Sequence, residues 1–263
     1  MRIDLRGLRV RYGRRPAVRG IDLTAHPGEV LAVLGPNGSG KSSVLRALAG
    51  LVSYDGVVDW DEARGPPRGG VGFMTQDNAI RTTLTVFEVV LLGRIRSLSL
   101  RVHRRDQDAA AAVLTELGIA GLASRRIGTL SGGQRQMVFL AQVLAGDPRV
   151  LLLDEPTSAL DIAHQIQVLD LLRTVTRRRA LTTIMVLHDL HAAARYADSV
   201  ALLADGSLLG CGRPDVVLTP VLLRAAFGVE VVIVNGPDGC RLPVPVSVAP
   251  GLDQCFLSAL SRC

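Results

Sequence analysis

A chain of 263 residues can hold one large α/β domain with a full hydrophobic core and an appendage, and is too short for two nucleotide-binding domains in tandem. It is 48% hydrophobic with a mean hydropathy of +0.30, yet no stretch approaches the roughly 18 unbroken apolar residues of a membrane-spanning helix. The net charge of +6 is spread over scattered arginines, and aromatics at 3% leave little for base stacking, so the balance describes a solvated arginine-rich surface and no nucleic-acid partner is expected.

In chain order, Met1-Arg2-Ile3-Asp4-Leu5-Arg6 carries charges where a signal peptide needs its apolar stretch, which predicts a cytosolic chain. Ile3, Leu5, Leu8 and Val10 alternate as in a half-buried strand ending at Tyr12. Val30-Leu31-Ala32-Val33-Leu34 is a continuous apolar run, as expected of a strand buried on both faces of a parallel sheet. It feeds Gly35-Pro36-Asn37-Gly38-Ser39-Gly40-Lys41-Ser42, which fits the phosphate-binding pattern G-x-x-x-x-G-K-[ST]. Ser42 to Ala49 then reads as a helix stopped by Gly50. Glycines in such a loop let backbone N–H groups converge on phosphates at a helix N-terminus, and the Ser42 hydroxyl is placed to meet Mg²⁺. Lys41 is the only lysine among 30 lysine and arginine residues. A compact ammonium can lie along β- and γ-phosphates where a planar guanidinium is too wide. The chain therefore reads as a binder of a nucleoside triphosphate.

Residues 1 to about 30 and 55 to 75 read as short strands of an antiparallel part. Thr85-Val86-Phe87-Glu88 is a capping box that starts a helix running to Gly93, and residues 104 to 117 form an alanine-rich helix stopped by Gly118. Leu130-Ser131-Gly132-Gly133-Gln134 is a second capping box, opening an amphipathic helix with Met137, Leu140, Ala141 and Leu144 on one face. Capping explains the helix start but not two glycines in its first turn. Those leave bare N–H groups at the positive end of the helix, a second anion site that one triphosphate cannot fill along with the first. Two such sites on one chain require a partner.

Val150 to Leu153 is a buried apolar strand delivering Asp154 and Glu155, which by themselves could be no more than a turn. A long helix follows Asp161, and a strand from Thr182 to Leu187 ends at His188. Asp205-Gly206 suits a type I′ hairpin turn, and Val229 to Val234 pairs with Leu242 to Val246 in a further hairpin. No internal repeat or low-complexity linker interrupts this order. Cys211, Cys240, Cys255 and Cys263 lack C-x-x-C spacing and read as reduced thiols. His26, His103, His164 and His191 read as surface residues.

Taken as a set, these segments resemble the ATP-binding subunits of ABC transporters, whose characteristic pentapeptide is Leu-Ser-Gly-Gly-Gln. The likeness implies an α/β fold, a P-loop ABC ATPase core with an antiparallel β-subdomain and an inserted helical subdomain at about 80–145. The nucleotide-binding domain would cover 3–235, with 236–263 as a C-terminal extension. It further implies that Asp154 reaches Mg²⁺, that Glu155 meets the attacking water and that Asp161 lies in the D-loop facing a partner subunit. Gln76 matches the Q-loop glutamine that reaches Mg²⁺ and reports nucleotide state, His188 the switch histidine at the γ-phosphate, and Tyr12 the aromatic that stacks on adenine. The less favoured reading of Tyr12 is an edge-strand tyrosine. Ser43 departs from the family's usual threonine but keeps the hydroxyl.

By the same resemblance, two copies stack head to tail around two ATP molecules. Lys41 and Ser42 of one copy and Ser131, Gly132, Gly133 and Gln134 of the other would hold each ATP. The expected partners are transmembrane permease subunits and, indirectly, a substrate-binding protein, which places the chain at the cytoplasmic face of the inner membrane. Val86, Val89 and Val90 are expected to offer the permease an apolar surface, the competing reading being that they fill the subdomain core. The segments around Gln76-Asp77-Asn78, Leu84 to Arg94 and His188 to Asp198 are similar to ATPases importing ferric siderophores, haem and cobalamin, with iron-siderophore first. A soluble ABC ATPase of DNA repair or iron–sulfur assembly would share every catalytic motif.

Overall fold

The computed structural model describes residues 1–61, 63–64, 70–75, 83–94, 102–158, 160–236 and 239–249. At its centre lies a six-stranded sheet built from β3 (Val30–Leu34), β6 (Val71–Met74), β7 (Val150–Asp154), β8 (Thr182–Val186), β9 (Ser199–Ala204) and β10 (Ser207–Gly212). The spatial order is β10-β9-β3-β8-β7-β6, parallel throughout except for the β9–β10 hairpin. Every residue of β3, β7 and β8 is buried, which is why these strands read as unbroken apolar runs. Alternate side chains nonetheless go to opposite faces. Val30, Ala32 and Leu34 join one core with Leu151 and Leu153, while Leu31 and Val33 join another with Val150 and Leu152.

The second core is closed by α1 (Lys41–Leu48) and by an antiparallel sheet of β1 (Ile3–Tyr12), β2 (Arg15–Ala25), β4 (Tyr54–Trp60) and β5 (Ala63–Arg64), in the order β2-β1-β4-β5. The expected antiparallel part is present, with one correction. Residues 71–74 do not belong to it: β6 lies parallel to β7 at the edge of the central sheet, with Met74 opposite Leu153. Four residues are too few to show a period, and what fixes β6 is its seat beneath a helix. A Cβ at Gly72 would fall 2.5 Å from Val143 Cγ1.

The first core is covered by helices. α2 (Val86–Leu92), α3 (Arg104–Glu116) and α4 (Gly132–Ala145) form the inserted helical region, and α5 (Ile162–Arg178) and α6 (Leu190–Tyr196) return to the sheet. Both expected capping boxes are formed. Thr85 N–H donates to Glu88 Oε2 at 2.7 Å while Thr85 accepts from Glu88 N–H, and Ser131 and Gln134 make the same exchange at 3.3 Å each way. Val86, Val89 and Val90 are fully buried, packed with Phe139, Leu140 and Leu144 of α4, so they fill the helical core and do not form the expected docking surface. Valines at helical spacing face whichever layer buries most apolar area, and here that layer is internal.

The β9–β10 turn has Asp205 and Gly206 at φ 47° and 77°, as type I′ geometry requires. After α7 (Pro214–Val217) and α8 (Pro220–Phe227) comes the last hairpin, β11 (Val229–Asn235) with β12 (Arg241–Val248). It straddles the boundary expected at 235. Cys240 Sγ donates to Ala194 O at 3.2 Å and Leu242 packs against the first core, which ties the second strand to α6.

Candidate functional site

The phosphate-binding loop is shaped by close packing before any ligand is considered. Gly35 has φ 148°, and a Cβ there would lie 2.1 Å from Leu203 O; at Gly40, φ 99°, it would lie 2.4 Å from Ala17 O. Backbone from β9 and β2 presses on the loop at both points, so only glycine fits. Lys41 begins α1 and curls back over the loop, its Nζ donating to Gly35 O at 2.8 Å and to Pro36 O at 2.9 Å. It is buried, and burial lowers its pKa against the opposing pull of Glu155 and Asp154. An ammonium satisfied by its own loop carbonyls can exchange them for phosphate oxygens.

Beside it, Ser42 Oγ donates to Asp154 Oδ1 at 2.9 Å. Asp154 is buried at the end of β7, and desolvation raises its pKa despite that bond and the charges of Arg46 and Lys41. A hydroxyl and a carboxylate at this spacing are hard oxygen donors of the kind Mg²⁺ takes together with substrate phosphates, so the pair fits that ion. Ser39 Oγ, 2% exposed by residue, has no hydrogen-bond partner among the described residues. An orphaned hydroxyl inside a phosphate-type loop fits an acceptor supplied by the ligand.

One residue further on, Glu155 sits at φ 52°, where the chain turns sharply off β7. The turn aims its carboxylate at β8, and Oε1 lies 2.5 Å from Nε2 of His188, the residue that follows Leu187. The parallel pairing of β7 and β8, Asp154 opposite Val186, brings these two side chains together across the sheet end. Tyr12 is 46% exposed at the tip of the β1–β2 hairpin, the hairpin that touches Gly40 through Ala17. Gln76 lies outside the described residues. The strand leading toward it, β6, ends at Met74 one register step from Asp154.

Asn37 and Gly38 are exposed on the loop, and Ser43 is buried beneath it. Ser131 and Gly132 are exposed at the start of α4, whereas Gly133 is buried. Among the described residues no hydrogen bond joins Ser131 or Gln134 to Lys41 or Ser42.

Three residues that sequence reasoning passed over hold the parts in place. Gln136 Nε2 donates to Pro156 O at 2.6 Å, tying α4 to the turn after Glu155. Gln165 Nε2 donates to Thr157 O at 3.2 Å and Leu160 O at 3.1 Å, bracing the loop before α5. His164, read as a surface residue, instead engages Asp161, the cap of α5: Nδ1 is 2.8 Å from each carboxylate oxygen. A hint lay in the spacing of Asp161 and His164, which places the side chain at position N3 over its own cap.

The ABC transporter family profile matches residues 18–158. A hemin import ATP-binding protein from Gloeobacter violaceus is 42% identical, covering 92% of this chain and 94% of that protein. The ferric enterobactin transport ATP-binding protein of Escherichia coli is 35% identical over 92% of this chain and 94% of its own length. Among solved structures, a chain from an ABC transporter in an inward-facing conformation is 28% identical and superposes with a TM-score of 0.83, covering 93% of this chain and 97% of that one.

Proposed function

Because this chain belongs to the ABC transporter family as an ATP-hydrolysing, ATP-binding import subunit, we propose that it drives the uptake of an iron-bearing ligand, haem or a ferric siderophore. The relatives' names support that cargo class, with hemin at 42% identity and ferric enterobactin at 35%. That ordering favours haem over the siderophore expected first. The chain would work by docking on transmembrane permease subunits, and among the described residues no helix is long and apolar enough to cross a membrane.

The observation that carries the mechanism is the convergence of Lys41, Ser42, Asp154, Glu155 and His188 at one end of the parallel sheet. Lys41 gives up its loop carbonyls to hold the β- and γ-phosphates of ATP. Ser42 and Asp154 would hold Mg²⁺, which neutralises charge on the phosphate oxygens when bound. Glu155 orients a water for in-line attack on the γ-phosphorus and accepts its proton as the bond to the β-phosphate oxygen breaks and ADP leaves. His188, released from Glu155, is placed to donate to the γ-phosphate.

The second half of the site is supplied by another copy. The exposed N-terminus of α4, with Ser131 capping and Gly132 and Gly133 bare, presents N–H groups to the γ-phosphate on the partner's Lys41. The contact is two-fold and isologous, so two ATP molecules are enclosed together. In a Glu155→Gln variant, ATP binding persists while turnover falls about 10²- to 10⁴-fold, the range of general-base loss. Size-exclusion chromatography of that variant should show a dimer with ATP and a monomer without. Near-normal hydrolysis would remove Glu155 from its role, and a monomer at saturating ATP would remove the paired arrangement.

A further inference from the structure

His164 stands in the first turn of α5 with its side chain 45% exposed, outside the set that the ATPase chemistry uses. Its backbone N–H donates to Asp161 Oδ1 at 2.9 Å, the ordinary capping bond. Its ring adds a second hold, Nδ1 lying 2.8 Å from both carboxylate oxygens. The His164 backbone and then its ring bond keep the Asp161 carboxyl below its usual range, so the aspartate stays an acceptor for this contact.

The Cγ–Cδ2 edge of the same ring faces α4. A Cβ built on Gly133 would meet His164 Cδ2 at 2.8 Å and Cγ at 3.1 Å. The imidazole therefore lies against the bare backbone of Gly133, in the turn whose N–H groups are offered to phosphate. One ring spans the gap between Asp161 and Gly133, residues 28 positions apart in sequence. A parallel tie runs from Gln136 to Pro156 O at 2.6 Å, so the start of α4 and the 156–164 segment are joined at two points. Glycine at 133 has a packing reason beside its chemical one: any side chain would displace the ring that holds Asp161.

We infer that His164 is a positioning residue that sets the spacing between Asp161 and Gly133, so that the two elements one copy presents to its partner's ATP move as a single piece. The inference rests on the paired arrangement proposed above. Without the ring, each element keeps its own local structure, Asp161 by its backbone cap and α4 by its capping box. What is lost is their mutual register when the copies close. Misplacement by about 1 Å at such a site costs up to about 10²-fold in rate without touching the ground-state contacts of the nucleotide.

The test compares His164→Ala and His164→Asn with the parent chain, measuring steady-state ATPase kinetics, ATP binding by the monomer and thermal stability. Expected for His164→Ala is a fall in kcat of about 10- to 100-fold with monomer affinity for ATP unchanged. Asn places an amide donor near Nδ1 and should recover part of kcat. A second pair of chains removes dependence on folding of the first. Gly133→Ala, which crowds the ring, should lose activity in the parent background, and should lose less further activity when added to His164→Ala, because the space is then free.

Turnover of His164→Ala within about twofold of the parent, with Glu155→Gln still dimerising on ATP, overturns the inference alone. Equal losses from Gly133→Ala in both backgrounds also overturn it, since the ring would then not set the spacing. Failure of Glu155→Gln itself to dimerise would overturn the paired arrangement, and the inference with it.

Discussion

The sheet end that carries Lys41, Asp154 and Glu155 and the first turn of α4 are both anion sites by composition, yet they are built in opposite ways. At the sheet end, Lys41 and Asp154 are buried, Ser42 and Glu155 half-buried and His188 exposed, and each is bonded inside the chain: Lys41 to loop carbonyls, Ser42 to Asp154, Glu155 to His188. At α4, Ser131 and Gly132 are exposed, and the Ser131 and Gln134 side chains bond each other's backbone. The first region carries desolvated charges at a cost in stability and is ready to exchange internal partners for a ligand. The second is a self-capped helix start whose first two residues, Ser131 and Gly132, are exposed. Chemistry is assembled in one region and delivered to a neighbour by the other.

That contrast predicts effects of different kind and size. Asp154→Asn should give the largest. Losing the carboxylate beside Ser42 should cut Mg²⁺-dependent turnover by at least about 10², since metal-assisted charge stabilisation contributes several kcal/mol. The same change should make the nucleotide-free chain more stable at neutral pH. Burial raises the Asp154 pKa above its ordinary 3.8, so above the folded value the native state holds a buried charge that the unfolded state solvates. Below 3.8 both states are protonated and the penalty is gone. The Asn variant should therefore melt higher at pH 7, and the gain should shrink as pH falls. Calorimetry at two pH values checks it; a destabilised variant at pH 7 would show Asp154 to be a stabilising part of the sheet end.

Ser131→Ala should do the reverse. Removing a capping hydroxyl costs about 0.5–2 kcal/mol in stability, measurable by urea melts, with nucleotide binding to the monomer unaffected. Weakened ATP binding by monomeric Ser131→Ala would mean that α4 contributes to its own chain's site, and the contrast between the two regions would fail.

Much of this was legible because local chemistry dictates it. The phosphate loop, the two capping boxes and the buried runs of β3 and β7 are each written in consecutive residues. The convergence of Asp154 and Glu155 with His188 was legible only through family resemblance, since the parallel pairing of β7 and β8 that makes it is not encoded in either strand. β6 was misassigned because its place depends on Gly72 fitting under Val143 and Pro148. Val86, Val89 and Val90 were misread as surface because their spacing shows a helical face and not what covers it. Gln136 and His164 meet segments brought near by the packing of α4 beside the 156–164 loop, which the sequence reports only through the local Asp161–His164 spacing, while Gln165 braces carbonyls of its own loop.

The central claim is that a working site is completed by two copies, and mixing two inactive chains tests it most directly. Lys41→Ala retains an intact α4 start, and Ser131→Arg retains an intact phosphate loop, so each alone should be inactive. A mixed dimer pairs the loop of the second with the α4 of the first and keeps one composite site. ATPase activity after mixing under exchanging conditions should therefore recover partly, scaling with the fraction of mixed dimer. No recovery, with subunit exchange shown independently, would contradict the account.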